Sequence, residues 1–297
     1  MKAIIKGINS IVGILVLTAI LLTLAFAGYA LWDSEQIHSQ ADKSLYTAYK
    51  PTAENEGKTF NELRLLNDEV IAWLTVNGTN IDYPITQGSN NMKYVSVNAE
   101  GRYSLSGSVF LDYRNNSGFS DFNSIIYGHN MDKKTMFGEI GNFDDEKYFA
   151  SHKYGNLYFD GVDHGLEFFA FIHTDAYNNN IFWPNVPDDM KQEYLNGLIE
   201  ESLHFRDIGV TAQDNIVLLA TCSPSSTNGR DILIGRITDT AMMEDAEDPV
   251  IPQSPEQTKI LARPVHIVPF LLKTVLAIMI ILKTRHANIH RRESEAR

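Results

Sequence analysis

"LLATCSPSSTNGRDILIGRI", residues 218–237, reads as two strand-like runs around a polar seven-residue loop, "SPSSTNG". Apolar residues fill the runs, while Ser, Pro, Asn and Gly fill the loop, which is the composition of a β-hairpin. If the runs pair antiparallel, the chain's single cysteine, Cys222, faces Arg230 across the hairpin. With one cysteine no intrachain disulfide can form, so stability must come from a packed core.

The same texture extends upstream. "EVIAWLTV" (69–76) and "NIDYPITQ" (80–87) flank Asn77-Gly78, a strong hairpin signal. "GSVFLDYR" (107–114), "NSIIYGH" (123–129), "NLYFDGV" (156–162) and "LEFFAFIHT" (166–174) follow as short strands, and "DNIVLLATC" (214–222) and "DILIGRI" (231–237) complete the series. One segment breaks it. In "DDMKQEYLNGLIEESLHF" (188–205), Met190, Tyr194, Leu195, Leu198, Ile199 and Leu203 recur at helical spacing. The expectation is a mainly β domain over 60–240, closed as a barrel, with a helix inserted before the cysteine strand.

The two ends differ from this middle. Residues 7–32 are uncharged, follow Lys2 and Lys6, and suffice to cross a hydrocarbon core of about 30 Å. A cleavable signal peptide ending at the small-residue site "AFA" is the rival reading, but the length of the run favours a retained signal anchor. Its flanking lysines place residues 1–6 in the cytoplasm and everything after Asp33 outside. Residues 264–282 form a second apolar run, followed by a basic tail, 283–297. Lys273 interrupts that run at a cost of about 2.5–3.5 kcal/mol on insertion scales, so the second span is the weaker of the two. Between the spans, 33–59 reads as a polar stalk and 241–263 as an acidic linker. Residues 33–262 hold 16 basic against 35 acidic side chains, a net of −19. Phosphates would be repelled, which excludes nucleic acid as a partner.

A lone cysteine is more often a small buried hydrophobe than a nucleophile. Here three groups of complementary chemistry stand at strand ends. Cys222 supplies a thiol, Arg230 a fixed cation, and His129, closing "SIIYGH", an acid/base. A thiolate is the attacking species, and a guanidinium can serve the oxyanion that acyl transfer generates. No CxxC, HExxH or clustered His/Asp spacing suggests a metal, and no Gly-rich loop suggests a nucleotide.

These residues resemble the class B sortases of Gram-positive bacteria. The family's TLxTC signature stands here as Leu218-Leu219-Ala220-Thr221-Cys222, with Leu in place of the first Thr. "YGHNM…MFGEI" (127–140) is similar to the family's histidine segment and "RDILIGRI" to its arginine strand. "IDYPITQ", "NNMKYV", "GSVFLDYRN" and the helix of 188–205 also have counterparts. The resemblance implies an eight-stranded barrel with an N-terminal helix and the inserted helix, and an extracellular transpeptidase without a cofactor. It implies that Cys222 attacks the Thr carbonyl of an LPxTG- or NPxTN-type C-terminal sorting signal on a surface protein or pilin. His129 then serves the leaving and incoming amines, and Arg230 holds substrate and oxyanion. By the same carry-over Tyr127, Asn91, Val95, Ala220, Thr221 and Ser223 line the peptide groove. The acceptor is an amine of a peptidoglycan precursor, which anchors the protein to the wall, or a pilin lysine, which builds a polymer.

Other readings remain at this point. L,D-transpeptidases use a Cys in an SxGC-type motif, which "LLATCS" is not, and papain-like wall peptidases run Cys before His. A membrane-tethered surface protein without catalysis is the third. A small thiol reagent should label the folded, detergent-solubilised chain, and Cys222→Ala should abolish the label. Labelling only after denaturation would identify Cys222 as a core residue.

Overall fold

The computed structural model describes residues 2–52 and 57–242. The second apolar run at 264–282, the basic tail and the linker beyond 242 lie outside the described residues.

Helix α1 (Lys2–Gln40) carries the uncharged run and is, among the described residues, the one helix long and apolar enough to cross a membrane. Residues up to Leu31 belong to one compact unit, and a second begins at Trp32.

The second unit is built on nine strands: β1 (Val70–Val76), β2 (Asp82–Thr86), β3 (Val109–Leu111), β4 (Asn123–Tyr127), β5 (Tyr154–Phe159), β6 (Val162–Asp175), β7 (His204–Phe205), β8 (Ile216–Cys222) and β9 (Gly229–Thr238). Eight of them run in the order β5-β1-β2-β3-β4-β8-β9-β6, and β6 pairs back onto β5, closing the expected eight-stranded barrel. Closure leaves those strands without open edges. β7 is an addition that pairs with Ala170 and Phe171 of β6. Two contacts are parallel, β2–β3 and β4–β8, and the rest are antiparallel.

The expected strand segments all appear, and the β1–β2 turn falls at Asn77-Gly78, where Gly78 adopts φ 74°. The long β6 pairs with β5, β7 and β9, and a bulge between Phe168 and Ala170 shifts its register against β9. Phe168 and Phe171 thereby face one core while Phe169 and Ala170 face another. The first core fills the barrel. The second lies outside it, where Ile125, Leu218, Ala220, Ile232 and Ile234 are covered by Tyr194, Leu195 and Leu198 of a helix (Lys191–Glu200). That helix, α4 after the short α2 (Lys58–Leu66) and α3 (Glu146–Ser151), is shorter than the periodicity of 188–205 predicts. Beyond it, His204 and Phe205 satisfy their backbone groups on β6 instead.

Within the segment expected as a polar stalk, the described residues 41–49 pack against the barrel. After α1 ends, two 3₁₀ turns (Lys43–Leu45 and Thr47–Tyr49) follow, and Ala41 and Tyr46 are buried in the barrel core. Burial pushes the Tyr46 phenol up to about 12. The Tyr83 hydroxyl donates to the Ala41 carbonyl at 3.0 Å, so β2 fixes the segment directly.

Near the β6–β9 end of the barrel, an imidazole stands between two carboxylates. His173 Nδ1 meets buried Asp231 of β9 at 2.6 Å, and its Nε2 meets Asp144 at 3.0 Å. Burial disfavours the charged ring, but the bonds to Asp144 and Asp231 outweigh it, so the His173 pKa is raised. A raised folded-state pKa means stability fully present below the unfolded value of about 6.5 and lost as pH rises through the folded one. His173→Gln should therefore lower Tm relative to wild type more at about pH 6 than at about pH 9. An equal loss at both would show that the ring acts by packing alone.

Candidate active site

Strand β8 organises the site. Its residues alternate between the cores, with Val217 and Leu219 facing the barrel and Leu218 and Ala220 facing the outer core. The strand is buried from Ile216 through Thr221, and Cys222 is its first exposed residue. By alternation the thiol lies on the outer face, two residues beyond Ala220.

The antiparallel β8–β9 register pairs Cys222 with Arg230, as the hairpin reading requires. β6 extends the row, pairing Thr174 with Arg230. On the other side, parallel β4 pairs Tyr127 with Ala220. The chain keeps following β8 past the end of β4: Gly128 N–H donates to the Ala220 carbonyl at 3.2 Å, and the Thr221 hydroxyl donates to the Gly128 carbonyl at 2.8 Å. Asn130 Nδ2 then donates to the Cys222 carbonyl at 2.7 Å. His129, between these anchors, is thereby set beside Cys222. The order along the row is His129, Cys222, Arg230, Thr174.

The histidine is fixed twice more. Its carbonyl accepts from Phe137 N–H at 2.9 Å, and the Phe137 ring lies so close to Gly128 that a Cβ there would meet it at 2.7 Å. Its Nε2 lies 2.9 Å from the Val95 carbonyl. A carbonyl only accepts, so Nε2 carries the hydrogen and Nδ1 is left to exchange a proton. Val95, expected in the peptide groove, thus also orients the imidazole through its backbone. The Val95 carbonyl is itself placed by Gly107 at φ 59°, where a Cβ would meet Tyr94 O at 2.4 Å and Val95 O at 2.7 Å.

Arg230 is half-buried, and its side chain donates to the Gly229 carbonyl at 2.9 Å. The carboxylate next to it in sequence, Asp231, points to the other face and is taken by His173. Arg230 therefore keeps donors for a ligand. A recess of about 200 Å³ opens beside it, lined in part by Thr174, Asp175, Ser223 and Ser226. The remaining groove expectations divide. Ala220 and Thr221 are buried, the first as floor on the cysteine's face and the second toward the barrel. Tyr127 and Asn91 are half-buried and share one partner, Asp112, whose carboxylate is fully buried.

Sequence reasoning missed the loop 176–190. Asn123 Nδ2 donates to the Trp183 carbonyl at 3.0 Å and to the Tyr194 hydroxyl at 2.7 Å, and that hydroxyl donates to the Ile181 carbonyl at 2.7 Å. The loop is thereby tied to β4 and α4, and Phe182 stacks on Tyr127 with ring centroids 6.3 Å apart. No local pattern marks Phe182, because its partner lies 55 positions upstream.

No family model matches the chain. Sortase B of Listeria monocytogenes is 31% identical over 219 residues, covering 71% of this chain and 88% of that protein. A crystal structure of sortase B from the type II pilus of Streptococcus pneumoniae is 43% identical with a TM-score of 0.54, covering 61% of this chain and 99% of that one. A Streptococcus pyogenes class B sortase involved in pilus biogenesis is also 43% identical, with a TM-score of 0.57 and the same coverage. A barrel with a cysteine on its outer face, and relatives of this identity over most of their length, make one conclusion. The chain belongs to the class B sortases.

Proposed function

We propose that this chain is a membrane-tethered cysteine transpeptidase that cleaves a C-terminal sorting signal of the LPxTG or NPxTN type at its Thr carbonyl and passes the acyl group to an amine. The observation that carries the reading is the single row His129–Cys222–Arg230, assembled from β8, β9 and the segment that follows β4.

In this reading the Cys222 thiolate adds to the Thr carbonyl carbon. The oxyanion forms within reach of the Arg230 guanidinium, which donates to it. Collapse breaks the C–N bond, and the leaving amine takes its proton from His129 Nδ1, giving a thioester on Cys222. The incoming amine attacks the thioester and loses its proton to the same nitrogen, and the thiolate departs. The Val95 carbonyl supports this cycle by keeping a hydrogen on Nε2 in both protonation states. The apolar run of α1 supports a membrane anchor with the barrel outside, on the flanking-lysine argument.

Incubation of the detergent-solubilised chain with a panel of sorting peptides should give a mass increase on Cys222 equal to the acyl fragment of one motif. Cys222→Ala should abolish the adduct and His129→Ala the turnover. Arg230→Ala should lower kcat/KM by about 10²–10³, the usual effect of one oxyanion donor. A folded Arg230→Ala variant with near-normal kcat/KM would remove that residue from the mechanism.

Wall anchoring and pilin joining use the same chemistry with different amines. The 43% identity to two pilus-associated structures favours pilin joining as the second reading. Deletion of the gene followed by blotting of wall extracts separates them. Loss of a high-molecular-weight ladder indicates polymerisation, and release of one discrete protein into the medium indicates anchoring.

A further inference from the structure

Asp112 follows directly on β3, and its side chain is completely buried. Five donors converge on its two oxygens. Oδ1 accepts from the backbone N–H of Arg114 at 3.0 Å and from Arg114 Nε at 2.9 Å. Oδ2 accepts from the Arg114 terminal nitrogen at 2.8 Å, from Asn91 Nδ2 at 2.9 Å and from the Tyr127 hydroxyl at 3.2 Å. The arrangement continues outward, because Asn91 Oδ1 accepts from Tyr113 N–H at 2.9 Å. A buried carboxylate survives only when paired and saturated with donors, and Arg114 supplies the countercharge.

One of the five donors, the Tyr127 hydroxyl, belongs to a ring on the cysteine's face, and Asn91 is tied to the same carboxylate oxygen. Tyr127 pairs in register with Ala220, two residues before Cys222, and is held between Phe110 (centroids 5.4 Å) and Phe182. The ring can swing away about its Cα–Cβ bond only by giving up the bond to Asp112. Asn91 sits on the long β2–β3 connection and has no strand to fix it. We infer that Asp112 is a positioning residue for acyl-donor recognition: its carboxylate locks Tyr127 and Asn91 into one wall that receives the sorting peptide. This rests on the transpeptidase reading above.

Asp112→Asn is nearly isosteric but provides a single acceptor oxygen. Whichever way the amide turns, at least one Arg114 nitrogen faces an N–H₂ group, and with that group at the Oδ2 position the Asn91 and Tyr127 donors face it as well. In the full chain this variant should raise KM for the sorting peptide about tenfold and leave kcat within about twofold, the pattern of lost ground-state binding. The rate of Cys222 alkylation by a small thiol reagent should not change. Tyr127→Phe, which leaves the Asp112–Arg114 pair intact, should reproduce part of the KM effect. Combined with Asp112→Asn it should add less than its single effect, because both remove one interaction. Unchanged KM in both single variants would overturn the proposal, and so would a fall in kcat and alkylation with KM constant. If Asp112→Asn does not fold, Tyr127→Phe and Asn91→Ala carry the same test. Failure of the transpeptidase reading looks different: the wild-type chain would form no thioester with any peptide.

Discussion

Strand β8 is buried on both faces for six residues and then emerges at Cys222. Everything else in the site follows from that constraint. A strand buried on both sides cannot slip by one residue, since the shift would exchange its barrel-facing and outward-facing side chains. The thiol is therefore presented at a defined place by the core, not by a flexible loop. Arg230 inherits its position from the antiparallel register, and His129 inherits its position from the parallel one.

The outer core explains why the site lies where it does. In a closed barrel the outside surface is normally wet, but here α4 and the loop before it cover the β4–β8–β9–β6 face. The cover stops short of the strand ends, leaving Cys222 exposed and Arg230 half-exposed beside an aromatic wall. A guanidinium at such an edge is partly desolvated yet not consumed by an internal carboxylate, which is the condition for binding a developing oxyanion strongly. The neighbouring Asp231 would neutralise it, but alternation sends that carboxylate to the barrel side, where His173 takes it.

Two unlike polar devices flank this row. One is the His173 cluster, whose charge depends on pH through an imidazole that Asp144 and Asp231 keep protonated to higher pH. The other is Asp112: burial raises its pKa, but the bonds from Arg114 and Asn91 and the Arg114 charge outweigh it and lower the pKa. Its charge is thereby less sensitive to acid than that of a free carboxylate. The wall beside the thiol is thus tied to the less sensitive device. The sensitive one lies across the sheet.

Strands, the β1–β2 turn, the apolar N-terminal run and the Cys222–Arg230 pairing were legible in the residues alone, because alternation, turn chemistry and hairpin register are local. His129 was legible as a strand-end acid/base and matches the family's histidine segment, although nothing local ties it to a cysteine 93 positions later. Only the parallel β4–β8 pairing brings the two together, and parallel register is set by crossovers, not by a turn that can be read. The packing of Ala41 and Tyr46 was illegible for a similar reason, since a short polar segment gives no sign of which distant strand will bury its few apolar groups. Phe182 on Tyr127, the Val95 carbonyl on His129 and the convergence of Asn91, Arg114 and Tyr127 on Asp112 also belong to the tertiary structure. A sequence records which groups can donate or accept; which donor meets which acceptor depends on the path of the backbone between them.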